Sequence, residues 1–91
     1  MVEIIKRTDE ERELEKKVKR LSDFASKAIK KCKVINDIGG DHILVNNNIH
    51  VHCDRNLINI YSEEYFNTAL QLAEAYETET GEKWKLKTVY D

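Results

Sequence analysis

The three histidines of the chain, His42, His50 and His52, all lie between residues 42 and 52. Neutral imidazoles are good ligands for zinc, nickel and copper, and a metal held by three of them with one open position can activate a water molecule. Asp54 follows His52 by two residues and would add a carboxylate to the same group. A His-x-His pair without support from neighbouring elements is a weak signal for a metal site. We therefore predict no metal and no other cofactor, and keep a histidine-based metal-binding protein as an alternative.

The two cysteines offer little nucleophilic chemistry. Cys53 alternates with His52 in a strand pattern, so it points to the opposite, buried side, and Cys32 continues the apolar stripe of a helix. Buried thiols are inert. The paired glycines of "NDIGGD" lead into a strand, so they offer no phosphate-binding helix N-terminus. The sequence favours a protein that is not an enzyme.

A basic segment raises a second alternative. Residues 16–33 carry eight lysines and arginines against one acid, Asp23, a net charge of 8 − 1 = +7. Such a surface can contact phosphates. A nucleic-acid-binding protein would use the basic half of the first helix, with contacts from Lys16, Lys17, Lys27 and Lys31.

Length and composition indicate a small globular domain. The sequence has 91 residues, of which 41% are hydrophobic and 35% are charged, and we assign residues 1–91 to a single domain. A domain of this size buries about 60 to 65% of its unfolded surface, so self-association often adds stability, and we expect a homodimer. No apolar run approaches the roughly 20 residues that cross a bilayer, and no secretory signal is recognised. We expect a cytoplasmic protein that does not contact membranes.

The first part of the chain predicts a strand and a long helix. β-Branched residues in "VEIIK", residues 2–6, favour a short strand, and Thr8 or Asp9 can cap the helix that follows. The apolar stripe of this helix runs to about Lys33. Its members recur at steps of three and four residues: Leu14, Val18, Leu21, Ala25, Ala28 and Cys32.

Three antiparallel strands are predicted between His42 and Tyr61. A three-residue loop at residues 46–48, with an asparagine in the left-handed conformation, places Val45 opposite Ile49 and aligns the apolar residues on one side. A two-residue turn at Arg55 and Asn56 would then pair Cys53 with Ile58 and Val51 with Ile60. The predicted buried face comprises Ile43, Val45, Ile49, Val51, Cys53, Ile58 and Ile60.

A second helix and a final strand complete the pattern. Ser62 is expected to cap the helix, which runs to Thr78 or Thr80 before Gly81. Its apolar face is predicted to contain Tyr65, Phe66, Ala69, Leu70, Leu72, Ala73 and Tyr76. The last strand, "KWKLKTVY", alternates apolar residues with lysines, which discourage further pairing, so we place it at an edge of the sheet.

The predicted fold class is α+β, with the order β-α-β-β-β-α-β and two layers. The sheet is mainly antiparallel and both helices cover one face. The other face would then be open, and the alternation of the strands assigns six side chains to it: His42, Leu44, His50, His52, Asn59 and Tyr61. In this register His42 lies across from His52 and Leu44 across from His50, while Asn59 lies beside His52 and Tyr61 beside His50.

Two resemblances involve short or coarse features. The string "HVHCD", residues 50–54, resembles the His-x-His-x-Asp element of binuclear metal hydrolases, but Arg55 stands where a further histidine usually follows. The order of helix, three strands and helix resembles the core of double-stranded RNA-binding domains, and with a preceding strand it is similar to ribosome-hibernation factors. Those families carry lysines at the start of the second helix, where this chain has Glu63 and Glu64.

The open face leads to the functional prediction. Leu44, Tyr61 and three uncharged histidines make it more apolar than a solvated sheet face needs to be. We predict a small binding or assembly module that acts through this face and associates with itself. Histidines at such an interface would make association sensitive to pH near 6.

Overall fold

The computed structural model describes residues 8–29, 31–36 and 41–90. Within these ranges the chain forms two α-helices and five strands: α1 (Asp9–Ala28), β1 (Val34–Asn36), β2 (His42–Val45), β3 (Ile49–His52), β4 (Leu57–Ile60), α2 (Phe66–Thr80) and β5 (Lys85–Thr88). The strands form one sheet in the order β1-β2-β3-β4-β5, antiparallel except for the parallel pair β4–β5. The α+β class is confirmed, and the predicted strand at residues 2–6 lies outside the described residues.

The first helix starts as predicted but ends earlier. The Thr8 side chain accepts a hydrogen bond from the Glu11 amide at 3.2 Å, which satisfies an unpaired N–H of the first turn. The prediction that α1 continues to about Lys33 is wrong, because regular helix stops at Ala28 and Ile29 leaves the helical conformation.

The segment after α1 forms a strand that the sequence did not reveal. Two hydrogen bonds join Lys33 to Asn46. The Lys33 amide donates to Asn46 Oδ1, and the Asn46 amide donates to the Lys33 carbonyl. These bonds start a ladder in which Val34 lies opposite Val45. β-Branched Val34 and Ile35 favour this extended conformation. In the described residues, α1 therefore precedes β1.

The register of the first hairpin is confirmed. Val45 lies opposite Ile49 and His42 opposite His52, as the three-residue loop requires. Asn46 and Asn47 adopt positive φ angles of 51° and 61°, a conformation that asparagine tolerates better than most residues.

The predicted register of the second hairpin is wrong by two residues. Ile58 pairs with Val51, not with Cys53, and the connection is a four-residue loop from Cys53 to Asn56. The Cys53 amide donates to the Asp41 carbonyl at 2.9 Å, which extends the pairing of β3 with β2 and moves the turn along the chain. Asn56 closes the loop with a φ of 51°. Because the shift is even, every side chain keeps its predicted face.

The core lies between the sheet and the two described helices. All seven residues of the predicted buried face are fully buried, and they pack with Val18, Leu21 and Ala25 of α1 and Ala69, Leu72 and Tyr76 of α2. This arrangement confirms that α1 and α2 cover one face of the sheet.

Three details of the second helix correct or complete its prediction. Ser62 makes no side-chain capping bond, and a 3₁₀ turn from Glu63 to Tyr65 precedes α2. Phe66 and Leu70, assigned to the apolar face, are exposed. Gly81 ends α2 in the left-handed conformation, with a φ of 72°, as the predicted stop requires.

The final strand occupies an edge of the described sheet, as predicted. Trp84 and Leu86 pack against the core, while Lys85 and Lys87 point to the other side, next to Leu57 and Asn59 of β4.

Candidate binding surface

The side of the sheet opposite the helices is the candidate surface, and we call it the open face. Strand alternation places every second side chain of the described sheet on it. It consists of Ile35 from β1, His42 and Leu44 from β2, His50 and His52 from β3, Leu57 and Asn59 from β4 with Tyr61 after its end, and Lys85 and Lys87 from β5. The structure therefore brings together all six predicted binding residues.

The open face combines apolar exposure with little charge. Ile35 is 41% exposed and Tyr61 is 42% exposed, whereas Leu44 between them is half-buried. Its part on β2, β3 and β4 carries no aspartate, glutamate, lysine or arginine, and Lys85 and Lys87 confine formal charge to the β5 edge. A solvated sheet face normally carries polar residues at its outward positions, whereas this face also presents Ile35, Leu44 and Leu57 there.

His42 and His52 form a contact pair at one end of the open face. Their ring centroids are 4.4 Å apart in an edge-to-face arrangement. His42 Nε2 lies 3.0 Å from Asp41 Oδ1, and Asp54 lies close enough to Asp41 for a hydrogen bond when one of the two carboxyls is protonated. Partial burial opposes ionisation of Asp41, but the hydrogen bonds and the two histidines outweigh it, so the pKa of Asp41 lies below its ordinary value. His42 thus has an acidic partner within ion-pair distance.

His52 contacts Asn59 despite the shifted register. Asn59 Nδ2 lies 3.0 Å from His52 Nε2, although the residue directly opposite His52 is Leu57. In this orientation the amide donates and the imidazole accepts. Asn59 Oδ1 is buried and has no hydrogen-bond partner among the described residues. A buried acceptor without a partner costs free energy.

His50 lies at the centre of the open face. It is flanked across the strands by Leu44 and Asn59, and its ring packs against that of Tyr61 with centroids 4.5 Å apart and ring planes tilted by 52°. Burial is the largest cause that lowers the pKa of His50 below its ordinary value, and the nearby His52 and His42 add to the effect. At neutral pH this ring is therefore uncharged.

The histidines do not converge on one point. His42 and His52 contact each other, whereas His50 packs against Tyr61. In the described part of the chain, no group of three or more His, Cys, Asp or Glu side chains is arranged to hold a metal ion.

A groove extends the open face toward the first hairpin. It has a volume of about 340 Å³ and includes Ile35 and Leu44 of the open face. The rest of its lining comes from Lys33, Asn46, Asn47 and Tyr65. Sequence reasoning missed this groove because it assigned Lys33 to a helix and did not detect β1.

The basic side chains of the nucleic-acid alternative have different environments. Lys16 is 77% exposed and lies 4.0 Å from Glu13, whereas Lys17 is only 22% exposed and contacts Asn56 and Glu82. Lys27 and Lys31 are exposed, one in the last turn of α1 and one beyond it. The structure thus places these four lysines in separate settings, and nucleic-acid binding stays a prediction.

The cysteines lie away from the open face. Cys53 is fully buried in the core, and burial raises the pKa of its thiol to about 12. Cys32 is half-buried against the same core. A thiol that stays protonated at neutral pH is a poor nucleophile. Cys53 therefore contributes to the packing of the core.

No protein-family model matches the sequence, and no curated protein or solved structure is significantly similar to it. Among the described helices, neither α1 nor α2 is long and apolar enough to cross a membrane.

Proposed function

We propose that the protein is a small assembly module that forms a homodimer through the open face. The observation that carries the proposal is the chemistry of this face. Its three central strands present leucines, histidines and an asparagine, with Tyr61 just beyond β4, and they carry no aspartate, glutamate, lysine or arginine on this face. Burying such a surface removes apolar area from water without the cost of desolvating a charge.

Charge at the margins of the face favours a second copy as the partner. Lys85 lies on the edge strand β5, in the same cross-strand row as His42. Asp41 lies next to His42, near the opposite edge of the described sheet, which is formed by β1. A two-fold axis parallel to the strands would place β5 of one copy over β1 and β2 of the other. Lys85 of each copy would then approach Asp41 of the other copy, so the contact occurs two times in the dimer. An axis perpendicular to the strands would bring the lysine edges together and is unfavourable.

The dimensions of the face predict a weak dimer. Strands of four residues are about 13 Å long, and five strands about 4.8 Å apart give a footprint of roughly 300 Å². Stable interfaces bury about 800 Å² on each partner, so this face lies below that range and the dimer is a weak, transient one. We expect a dissociation constant in the micromolar range.

Sedimentation equilibrium of tag-free protein between about 5 and 300 µM, which brackets micromolar affinity, tests the proposal directly. Leu44→Glu and Tyr61→Glu place charge on the open face and should give monomers at all concentrations. Leu70→Glu is the matched control, because it makes the same change at an exposed apolar residue of α2, on the other side of the molecule. Circular dichroism would verify that each variant is folded.

The outcomes separate the open face from other surfaces. A concentration-dependent dimer that Leu44→Glu abolishes and Leu70→Glu preserves supports the proposal. A wild-type monomer across the whole range contradicts it, as does a dimer that only Leu70→Glu dissociates.

A further inference from the structure

We infer that His50 meets the same residue of a second copy at the two-fold axis, and that protonation of this pair releases the dimer at acidic pH. The inference rests on the homodimer proposed above and deepens it by assigning its regulation. It is carried by the position of His50 and by the groups around it.

The position of His50 follows from the register. β3 is the middle strand of the described sheet, and the cross-strand row that contains His50 is the middle row of the open face. On one side lies the row of His42 and His52, and on the other lies Tyr61. A two-fold axis parallel to the strands runs along β3, so each His50 faces its own symmetry mate, as does each His52. His52 interacts with the charge of Asp41, whereas His50 has no acidic neighbour among the described residues.

The neighbours of His50 offer it no countercharge. Leu44 from β2 and Asn59 and Tyr61 from β4 are uncharged, and the charged group beyond Asn59 is Lys87 of β5. Along the face, His52 and His42 would add positive charge. Asp41 lies beside His42, not beside His50. Within the described residues, no acidic side chain forms an ion pair with His50.

Protonation converts the contact between two facing imidazoles from an attractive one into a repulsive one. When both rings are neutral, one ring N–H donates to the unprotonated nitrogen of the other ring. When each ring takes up a proton, both rings carry only donors and a unit positive charge. The hydrogen bond is then lost, and two like charges lie close together in a desolvated interface. The dimer should therefore dissociate as the pH falls below about 6, where histidine becomes protonated.

His42 provides a control for the pH response, because it has the acidic neighbour that His50 lacks. A proton on His42 is accommodated by Asp41, whose Oδ1 lies 3.0 Å from His42 Nε2. His42 also lies on β2, one strand away from the axis along β3. Replacing His42 should therefore leave most of the pH response intact.

The test measures the dimer dissociation constant by sedimentation at about pH 8 and about pH 5.5 at constant ionic strength. The wild-type constant should rise at least about tenfold at the lower pH. His50→Gln should remove the pH response: its dissociation constant, whatever its value at about pH 8, should change less than about threefold between the two pH values. His50→Thr serves the same purpose if the glutamine variant is unfolded. His42→Asn should retain the wild-type rise.

Each failure has its own meaning. A wild-type monomer at about pH 8 overturns both the homodimer and this inference. A wild-type dimer whose dissociation constant is independent of pH, or a His50→Gln dimer that weakens like the wild type, overturns the inference alone and leaves the homodimer standing.

Discussion

The ammonium group of Lys17 donates a 2.8 Å hydrogen bond to the Oδ1 atom of Asn56, a residue 39 positions later in the chain. Asn56 in turn donates from Nδ2 to a carboxylate oxygen of Glu82, and Lys17 Nζ lies 3.6 Å from that oxygen. The same ammonium group lies 5.6 Å from the centroid of Trp84. Three segments, namely α1, the loop before β4 and the loop before β5, therefore meet at one side chain.

Lys17→Met should lower the free energy of unfolding by about 1 to 2 kcal/mol, because a half-buried amide loses its charged partner and Trp84 loses a cation over its ring. Lys16→Met is the matched control on the adjacent, exposed position, and its effect should stay below about 0.5 kcal/mol. Urea unfolding at one fixed protein concentration measures both. Equal losses for the two variants would show that the contacts of Lys17 add nothing to stability.

Lys17 and Asn56 also act on Glu82. The hydrogen bond from Asn56, followed by the charge of Lys17, holds the pKa of Glu82 below its ordinary value. The side chain therefore favours the folded state above the ordinary carboxylate pKa, and this contribution disappears as the pH falls through the lowered value. An NMR titration of Asn56→Ala should show the pKa of Glu82 returning toward its ordinary value. An unchanged titration would rule out Asn56 as the cause.

The thiol of Cys53 should resist modification in the folded protein. Its burial raises its pKa to about 12, so a thiol reagent at about pH 8 should modify the half-buried Cys32 first and Cys53 only after unfolding. The unfolded thiol ionises near its ordinary pKa, so stability should fall as the pH rises above about 8.5 toward 12. Cys53→Ala should flatten this part of the stability profile. Rapid modification of both thiols in native buffer would contradict the prediction.

Tyr76→Phe should destabilise the protein by about 1 kcal/mol. The buried hydroxyl of Tyr76 donates to the Leu21 carbonyl at 3.3 Å and joins α2 to α1, while its ring, which phenylalanine retains, packs 4.8 Å from Trp84. Tyr65→Phe is the comparison, because the hydroxyl of Tyr65 has a single weak contact at 3.5 Å with Asn46. Thermal unfolding at fixed concentration distinguishes the two. A larger loss for the Tyr65 variant would contradict this ranking.

The orientation of the proposed dimer can be tested by exchanging charges. Lys85→Glu should weaken the dimer about three- to tenfold, because the partner's Asp41 then faces a like charge. Adding Asp41→Lys should restore the affinity, since the pair is rebuilt with reversed signs. Lys83→Glu, at an exposed residue before β5, controls for the change in net charge. If the double variant loses as much affinity as Lys85→Glu and Asp41→Lys lose together, the two residues do not pair, and a two-fold axis parallel to the strands is excluded.

The sequence predicted six of the ten side chains described on the open face, but not all of the geometry of that face. Alternation in β2, β3 and β4 assigns each side chain to a face, and a shift of two residues preserves that assignment. For this reason the six predicted binding residues share one surface although Ile58 pairs with Val51 and not with Cys53. Nothing in the alternation distinguishes the two registers, because both bury the same residues.

The missed strand and the groove beside it have one cause. Cys32 falls on the helical stripe of α1, so the periodicity extends past the point where the helix ends. The decisive interaction is the bond from the Lys33 amide to Asn46 Oδ1, which joins positions 13 residues apart. A pattern of neighbouring residues cannot predict a contact between residues that are far apart in the sequence. The groove lined by Ile35 and Leu44 was therefore also invisible to it.

The parallel pairing of β5 with β4 sets an order of assembly for the chain. Strands β1 to β4 join their neighbours through short loops, whereas β5 reaches β4 only after α2 has crossed the sheet. Non-local pairing pays more loop-closure entropy than a hairpin does. We therefore expect the meander to form while the end of the chain is still being synthesised, and the strand that carries Lys85 to complete the dimerisation surface last. Pulsed hydrogen exchange during refolding would show this as late protection of the β5 amides.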